Sequence, residues 1–188
     1  MGNKRIDEMT IAVLALQGAF AEHAGMLSKL GVKTIQLRQK RDLEQDFDGL
    51  VLPGGESTVQ TKLLKELDMY DVLREKILSG LPVLGTCAGM ILLADAFRTF
   101  PAAVKRNAYG RQLGSFQCEA PVKGVGNFPL TFIRAPYFTE LGKDVEVLAQ
   151  VKDQIVGARY KNQIALAFHP EVTGNTGIHQ YFLGLCKT

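Results

Sequence analysis

Short apolar runs alternate with helix-spaced segments through the first half of the chain. Thr10-Ile11-Ala12-Val13-Leu14-Ala15-Leu16 is apolar almost throughout, the pattern of a parallel strand covered on both faces. Gln17-Gly18 breaks it. Apolar residues at helical spacing then predict a helix over Ala19–Leu30, with Gly31 placed to cap it. Val32–Leu37 and Gly49–Leu52 predict two more strands, the latter ending in the turn Pro53-Gly54-Gly55-Glu56-Ser57-Thr58. Ser57–Leu67 and Tyr70–Ser79 predict helices, and Gly80-Leu81-Pro82 leads into a fourth strand ending at Gly85. The second half changes character. Alternating patterns predict strands over Gly114–Ala120, Leu130–Arg134, Val145–Val151, Ile155–Tyr160 and Ile164–Phe168, and helical spacing returns at Ile178–Leu185.

The βαβα alternation of the first half implies an α/β domain with a largely parallel sheet. In such sheets, sites form where the carboxyl ends of strands meet the following loops. Without repeats, low-complexity tracts or a dividing linker, residues 10–188 are expected to form one domain. The polar lead over residues 1–9 is expected to be a disordered extension.

Composition narrows the class. A hydrophobic share of 46%, a charged share of 22% and a net charge of +3 suit a globular protein. No basic run with interleaved aromatics points to nucleic acid, and no apolar run is long enough to span a membrane. The start is too polar for a secretory signal, so a reducing, cytoplasmic setting is expected. Cys87, Cys118 and Cys186 are then free thiols rather than a disulfide framework. Three scattered histidines, none spaced to pair with cysteine, argue against a metal site.

Gly85-Thr86-Cys87-Ala88-Gly89 stands apart. An apolar strand ends at Gly85 and a helical pattern starts just after Cys87. This is the layout of a nucleophile elbow with cysteine in the place of serine. Small flanking residues let the chain turn sharply and present the sulfur at the strand end. A thiolate there is favoured by the helix dipole and the unpaired N–H groups of the first turn. Cys118 and Cys186 lack this setting and read as small buried hydrophobes.

A second stretch, Phe168-His169-Pro170-Glu171, ends another apolar strand. Pro170 keeps its predecessor extended, and in an extended segment residues two apart share a side. A histidine that accepts a thiol proton needs its other nitrogen held by an acceptor, which Glu171 supplies. Cys87, His169 and Glu171 thus form a triad in roles. His23 and His179 fall in helices and read as structural or surface residues. The third stretch is the turn after the third strand. Backbone N–H groups around Gly54-Gly55 can face an anion. With the N–H of Ala88, that of Gly55 forms a candidate oxyanion hole. No phosphate-loop lysine accompanies this turn, whereas Ser57 suits a helix N-cap.

P-G-G-E-S-T, G-T-C-A-G and F-H-P-E, in this order, resemble the class I, triad-type glutamine amidotransferases. Leu14-Ala15-Leu16-Gln17-Gly18 with Glu22-His23, Arg106-Asn107-Ala108-Tyr109-Gly110-Arg111-Gln112 with Ser115-Phe116, and Phe132-Ile133-Arg134-Ala135-Pro136 narrow the resemblance. They resemble the glutaminase subunits of pyridoxal 5′-phosphate synthases, over the chain from about Thr10 onward. The resemblance implies a three-layer, flavodoxin-like fold with a mostly parallel central sheet and antiparallel additions. It implies that Cys87 attacks the side-chain amide of L-glutamine, with His169 as base and Glu171 orienting it. It places the substrate on Gly55, Glu56, Ser57, Arg106, Ile133 and Arg134, consistent with a cation for the α-carboxylate and acceptors for the α-ammonium. It implies no cofactor. The ammonia is expected to pass to a (β/α)₈-barrel synthase subunit in a hetero-oligomeric complex, with Gln17 and the following helix on the docking side.

The Ala94–Arg106 connection is several residues shorter than the resemblance leads one to expect, leaving the exit of the elbow helix and a further strand open. Alternatives are a glutaminase subunit serving a different synthase, another cysteine hydrolase of α/β fold, or a non-catalytic module. The arginine-bearing stretches disfavour the second, and the intact Cys87, His169 and Glu171 disfavour the third.

Overall fold

The structure is a computed structural model and describes residues 4–106 and 115–187. Asn107–Gln112 of the arginine-bearing stretch therefore lies outside the described residues. The parallel half of the sheet is built from β1 (Thr10–Leu14), β2 (Lys33–Leu37), β3 (Gly49–Leu52), β4 (Val83–Thr86) and β11 (Gln163–Leu166), in the order β2-β1-β3-β4-β11. β1, β3, β4 and β11 consist almost wholly of buried residues, as their continuous apolar runs require. β10 (Gln154–Tyr160) pairs antiparallel with β11 and carries the sheet on to β8 (Tyr137–Leu141), β5 (Ala102–Lys105) and, on a branch, β9 (Glu146–Val151). β6 (Ser115–Val122) and β7 (Gly126–Ile133) form a separate antiparallel ribbon.

Helix α1 (Phe20–Lys29) packs against β1 and β2, and α2 (Ser57–Glu66) against α3 (Tyr70–Leu78) and α4 (Ala88–Ile91). Helix α5 (Gly177–Cys186) lies on β3, where Phe182 and Cys186 close over Gly49. One apolar core joins Ile11, Val13, Leu50, Leu84, Met90, Phe168 and Phe182 from these layers.

Besides β8, which no pattern predicts, and Ser57, which opens α2 behind Glu56 instead of capping it, four features depart from the expectations. β7 starts at Gly126 and not at Leu130, because its first residues pair with Ala120–Val122 across the ribbon. The last parallel strand stops at Leu166: Ala167 N–H still follows the β10 register on Val156 O, but His169 N–H turns away to Thr131 O on β7. The short connection after the elbow still supplies a strand. Helix α4 widens into a π turn over Leu92–Ala96, closed by Phe97 N–H on Leu92 O, and β5 follows within a few residues. Finally, the lead expected to be disordered carries a 3₁₀ turn at Ile6–Glu8. Met9 is fully buried, and Lys4 reaches Asp48 at 2.7 Å. The apolar side chain at Met9 and the carboxylate of Asp48, which also accepts from Thr10 N–H, hold this segment on the core.

Candidate active site

β4 delivers Cys87 between two parallel neighbours, with Gly85 opposite Leu52 on one side and Ala165 on the other. The strand hydrogen-bonding runs into the turn, since Cys87 N–H donates to Leu166 O at 2.7 Å. Cys87 itself takes φ 50° and ψ −101°, a conformation that costs a non-glycine residue about 1–3 kcal/mol. The surrounding structure over-determines it. Two residues on, Gly89 rests on the Leu52 carbonyl with no space for a side chain. Cys87 is 7% exposed, and its sulfur lies 3.9 Å from Ile133 O at the end of β7.

His169 reaches the same place from β11. Its amide is anchored on Thr131 O at 2.8 Å, and Pro170 opens a 3₁₀ turn over Pro170–Val172. That turn folds Glu171 back beneath the imidazole, with Glu171 Oε1 2.6 Å from His169 Nδ1 and no part of the carboxylate exposed. With Nδ1 held by the carboxylate, Nε2 is free to serve the thiol.

Gly54, the first glycine of the turn after β3, proves to be a seat for His169. A β-carbon there would overlap the imidazole Cε1. The next peptide is tied to Gln17, whose Oε1 accepts from Glu56 N–H at 2.7 Å. Gln60, fully buried on α2, donates to Gln17 O at 3.0 Å and Pro53 O at 3.2 Å, fixing both segments together.

The electrostatics follow the geometry. Burial works against charge on His169, but its hydrogen bonds to Cys87 and Glu171 outweigh this and raise its pKa to about 10. Burial likewise works against an ionised Glu171, and the His169 hydrogen bond overturns it, leaving the carboxyl below its ordinary value. The pair thus favours imidazolium beside carboxylate, which stabilises negative charge developing on the sulfur. Burial pushes the Cys186 thiol up to about 12 and raises Cys118 as well, so both stay inert packing thiols.

Cys87, His169 and Ala88 open onto one cleft of about 450 Å³. Gly55, Glu56, Ser57, Arg106, Ile133 and Arg134, assigned to substrate by resemblance, line the same cleft. Arg134, the residue after β7, lies in the left-handed region at φ 44°. Arg106 is held at the rim by Asp95 at 3.2 Å. Such a half-exposed pair is worth about 0–1 kcal/mol, so the guanidinium is available to a ligand carboxylate. Among the described residues, no group of three or more His, Cys, Asp or Glu side chains is placed to hold a metal ion.

Three polar residues next to the triad are given no role by the sequence reading. His23, Thr86 and His179 are completely buried, and His23 and Thr86 touch at 3.0 Å. His23 lies against Glu171 at 3.4 Å and against His179 at 2.9 Å. Of the structural and surface readings of these histidines, burial excludes the surface one. The sole hint in the sequence is the Glu22-His23 pair, which helical spacing alone does not single out.

The sequence matches the SNO glutamine amidotransferase family over residues 13–188. A Desulfitobacterium hafniense protein named pyridoxal 5′-phosphate synthase subunit PdxT is 58% identical over 183 residues, covering 93% of this chain and 92% of that protein. A Streptococcus pneumoniae protein of the same name is 54% identical over 190 residues, covering 95% and 98%. The solved structure named "Crystal structure of glutamine amidotransferase" matches with a TM-score of 0.88 at 42% identity, covering 95% of this chain and 99% of its own. PurLQS from Thermotoga maritima, at 15% identity and a TM-score of 0.73 over 93% and 97%, shares the fold alone. The elbow, the buried His–Glu pair and a match running through nearly the whole sequence lead to one conclusion: the chain belongs to the SNO glutamine amidotransferase family.

Proposed function

We propose that this chain is the glutaminase subunit of a pyridoxal 5′-phosphate synthase. It hydrolyses L-glutamine to L-glutamate and ammonia and hands the ammonia to a synthase subunit. The observation that carries the reading is His169, whose Nδ1 is fixed on a buried Glu171 at 2.6 Å while its ring faces the cleft that holds Cys87. The 58% identity to a relative named for that synthase supports the choice of partner.

Arg106 and Arg134 take the α-carboxylate of glutamine, and the Glu56 carboxylate takes its α-ammonium. With the thiol proton already held on His169 Nε2, Cys87 Sγ bonds the side-chain amide carbon and the carbonyl π pair moves onto oxygen. The N–H groups of Gly55 and Ala88 stabilise that oxyanion, an effect largest in a site that excludes water. Collapse breaks the C–N bond, and the proton on His169 leaves with the nitrogen as ammonia. Water then attacks the thioester and gives its proton to His169. The C–S bond breaks, glutamate departs, and His169 keeps that proton beside the regenerated thiolate. Ser57, buried at the start of α2, and Ile133 shape the wall beside the amide.

Residues 10–188 act as one glutaminase domain in the cytoplasm. Among the described residues no helix is long and apolar enough to cross a membrane. The synthase subunit is a (β/α)₈ barrel within a hetero-oligomer, and it docks on the side formed by Gln17 and α1. Ammonia release from glutamine, measured for the chain alone, for the chain with the synthase subunit and for Cys87→Ala, tests the reading. Release by the mixture above the Cys87→Ala background is expected, and none above that background overturns it.

A further inference from the structure

Behind the catalytic carboxylate lies a buried polar set that the reaction as written leaves unused. His23 comes from α1, Thr86 from the end of β4 and His179 from α5, and all three have 0% exposure. They meet at His23, which faces Glu171 Oε2, the carboxylate oxygen that His169 does not take. His23 Nε2 lies 3.0 Å from Thr86 Oγ1 and 3.4 Å from that oxygen, and His23 Nδ1 lies 2.9 Å from His179 Nε2. Glu171 Oε2, 3.4 Å from His23 Nε2, and His179 Nδ1 have no hydrogen-bond partner.

We propose that His23 is a positioning residue for the triad, locked in its Nε2–H tautomer so that this N–H, bonded to Thr86 Oγ1, turns its positive end toward the second oxygen of Glu171. The proposal rests on the assignment of Cys87, His169 and Glu171 as the catalytic residues. Two neutral arrangements of the histidine pair are conceivable, and the environment separates them. If His23 carries its proton on Nδ1, it donates to His179 Nε2. The His179 proton then sits on Nδ1, a buried donor facing nothing. In that arrangement the Thr86 hydroxyl donates to His23 Nε2, and the same lone pair lies 3.4 Å from an ionised oxygen. If the proton is on Nε2 instead, it faces Thr86 Oγ1 and Glu171 Oε2, and His179 Nε2–H donates to His23 Nδ1. Only one lone pair, on His179 Nδ1, is then left bare. An orphaned buried donor and an unsupported carboxylate oxygen each cost more than an unused lone pair.

The charges around the pair agree. Burial is the main influence on His23 and holds it neutral, while Glu171 and Glu22 pull the other way and His169 adds to the burial effect. His179 is pushed down to about 3 by burial and by His23, with Glu171 opposing. A neutral His23 therefore supplies a dipole and a fixed N–H rather than a charge. Glu171 sits between two imidazoles, one on each oxygen, and rotation of its carboxylate would break both contacts. Through Glu171, His23 fixes the orientation of His169 and its hold on a proton.

The tautomer is tested first on the unaltered protein, by NMR of ¹⁵N-labelled histidine with His23 assigned through its contacts to Thr86 and His179. A protonated Nε2 with a bare Nδ1 is expected, and the reverse tautomer or an imidazolium overturns the proposal without any variant having to fold. The second test follows alkylation of Cys87 by iodoacetamide against pH, read by mass spectrometry of the Cys87 peptide. It compares the unaltered chain with Glu171→Gln, His23→Leu and His23→Gln. Gln carries an amide N–H near the position of imidazole Nε2, whereas Leu fills the space without a donor. The pH of half-maximal alkylation should rise by about one unit in Glu171→Gln and His23→Leu, which corresponds to about tenfold in the protonation equilibrium. It should stay near the original value in His23→Gln. A His23→Leu protein with a lowered melting temperature but an unmoved profile reduces His23 to packing and overturns the proposal. An unmoved profile in Glu171→Gln instead overturns the triad assignment beneath it.

Discussion

The carbonyl oxygen of Leu52 occupies the space that a side chain at Gly89 would need, so that a β-carbon built there overlaps it. The elbow that presents Cys87 is therefore closed by backbone lying directly on backbone, from β3 to the first turn of α4. Neither partner is a flexible side-chain end, so nothing nearby can yield cheaply. Gly89→Ala should destabilise the protein by about 1–3 kcal/mol, the usual cost of overpacking a filled site. Urea unfolding followed by circular dichroism measures it, and a loss of less than about 0.5 kcal/mol would show that the elbow relaxes.

The imidazole of His169 fills the equivalent space at Gly54. Gly54→Ala has to move the ring, and the ring is the moving part of the reaction. Displacing a catalytic group by about 1 Å can cost about a hundredfold in rate. The expected outcome is a kcat lowered on that scale with a much smaller change in KM, read from glutaminase kinetics in the presence of the synthase subunit.

Arg106 is shared between Asp95 and the cleft. A hydrogen bond between charged partners is worth about 1.5–3 kcal/mol, so Arg106→Ala should raise KM for glutamine by about tenfold or more with kcat largely kept. Asp95→Ala, which releases the guanidinium, should leave KM unchanged or lower it. A KM unmoved by Arg106→Ala would show that the substrate carboxylate lies elsewhere.

Acid stability should report on the buried histidines. His23 and His179 have folded pKa values below the ordinary 6.5. Their contribution is thus complete above pH 6.5 and lost as the pH falls, for His179 through about 3. Each should add a slope of about 1.4 kcal/mol per pH unit within that window. His169 acts in the opposite sense: its pKa is raised to about 10, so its contribution is complete below 6.5 and lost as the pH climbs through that value. Urea midpoints measured from about pH 6 down to about pH 4 should fall less steeply in His23→Leu than in the unaltered protein, because one buried neutral imidazole has been removed. Equal slopes would contradict the burial of a neutral His23.

The elbow, the His-Pro-Glu stretch and the glycine turn are legible because each is a local device. Gly85-Thr86-Cys87-Ala88-Gly89 and His169-Pro170-Glu171 are shaped by sterics and hydrogen bonds among residues a few positions apart. The apolar runs of β1, β3, β4 and β11 likewise announce strands buried on both faces. β5 and β8 carry no such signal. Their patterns are short and mixed, and pairing with each other and with β10 decides their state. The polar lead shows the same limit, since only the fold reveals that Met9 reaches the core and Lys4 meets Asp48.

By itself, then, the sequence determined that a cysteine stands on a strand-to-helix turn, that a histidine and a carboxylate share one short segment, and that the sheet between them is parallel. Tertiary structure alone decided what surrounds them. The order β2-β1-β3-β4-β11 sets Leu166 beside Thr86 and lets Cys87 and His169 open onto one cleft. The packing of α1 and α5 then puts His23 and His179 in contact, although they stand 156 positions apart. Periodicity can show that such a residue is turned inward. Which buried polar atom meets which depends on how the layers stack, because a hydrogen bond is made across space and leaves no spacing in the chain.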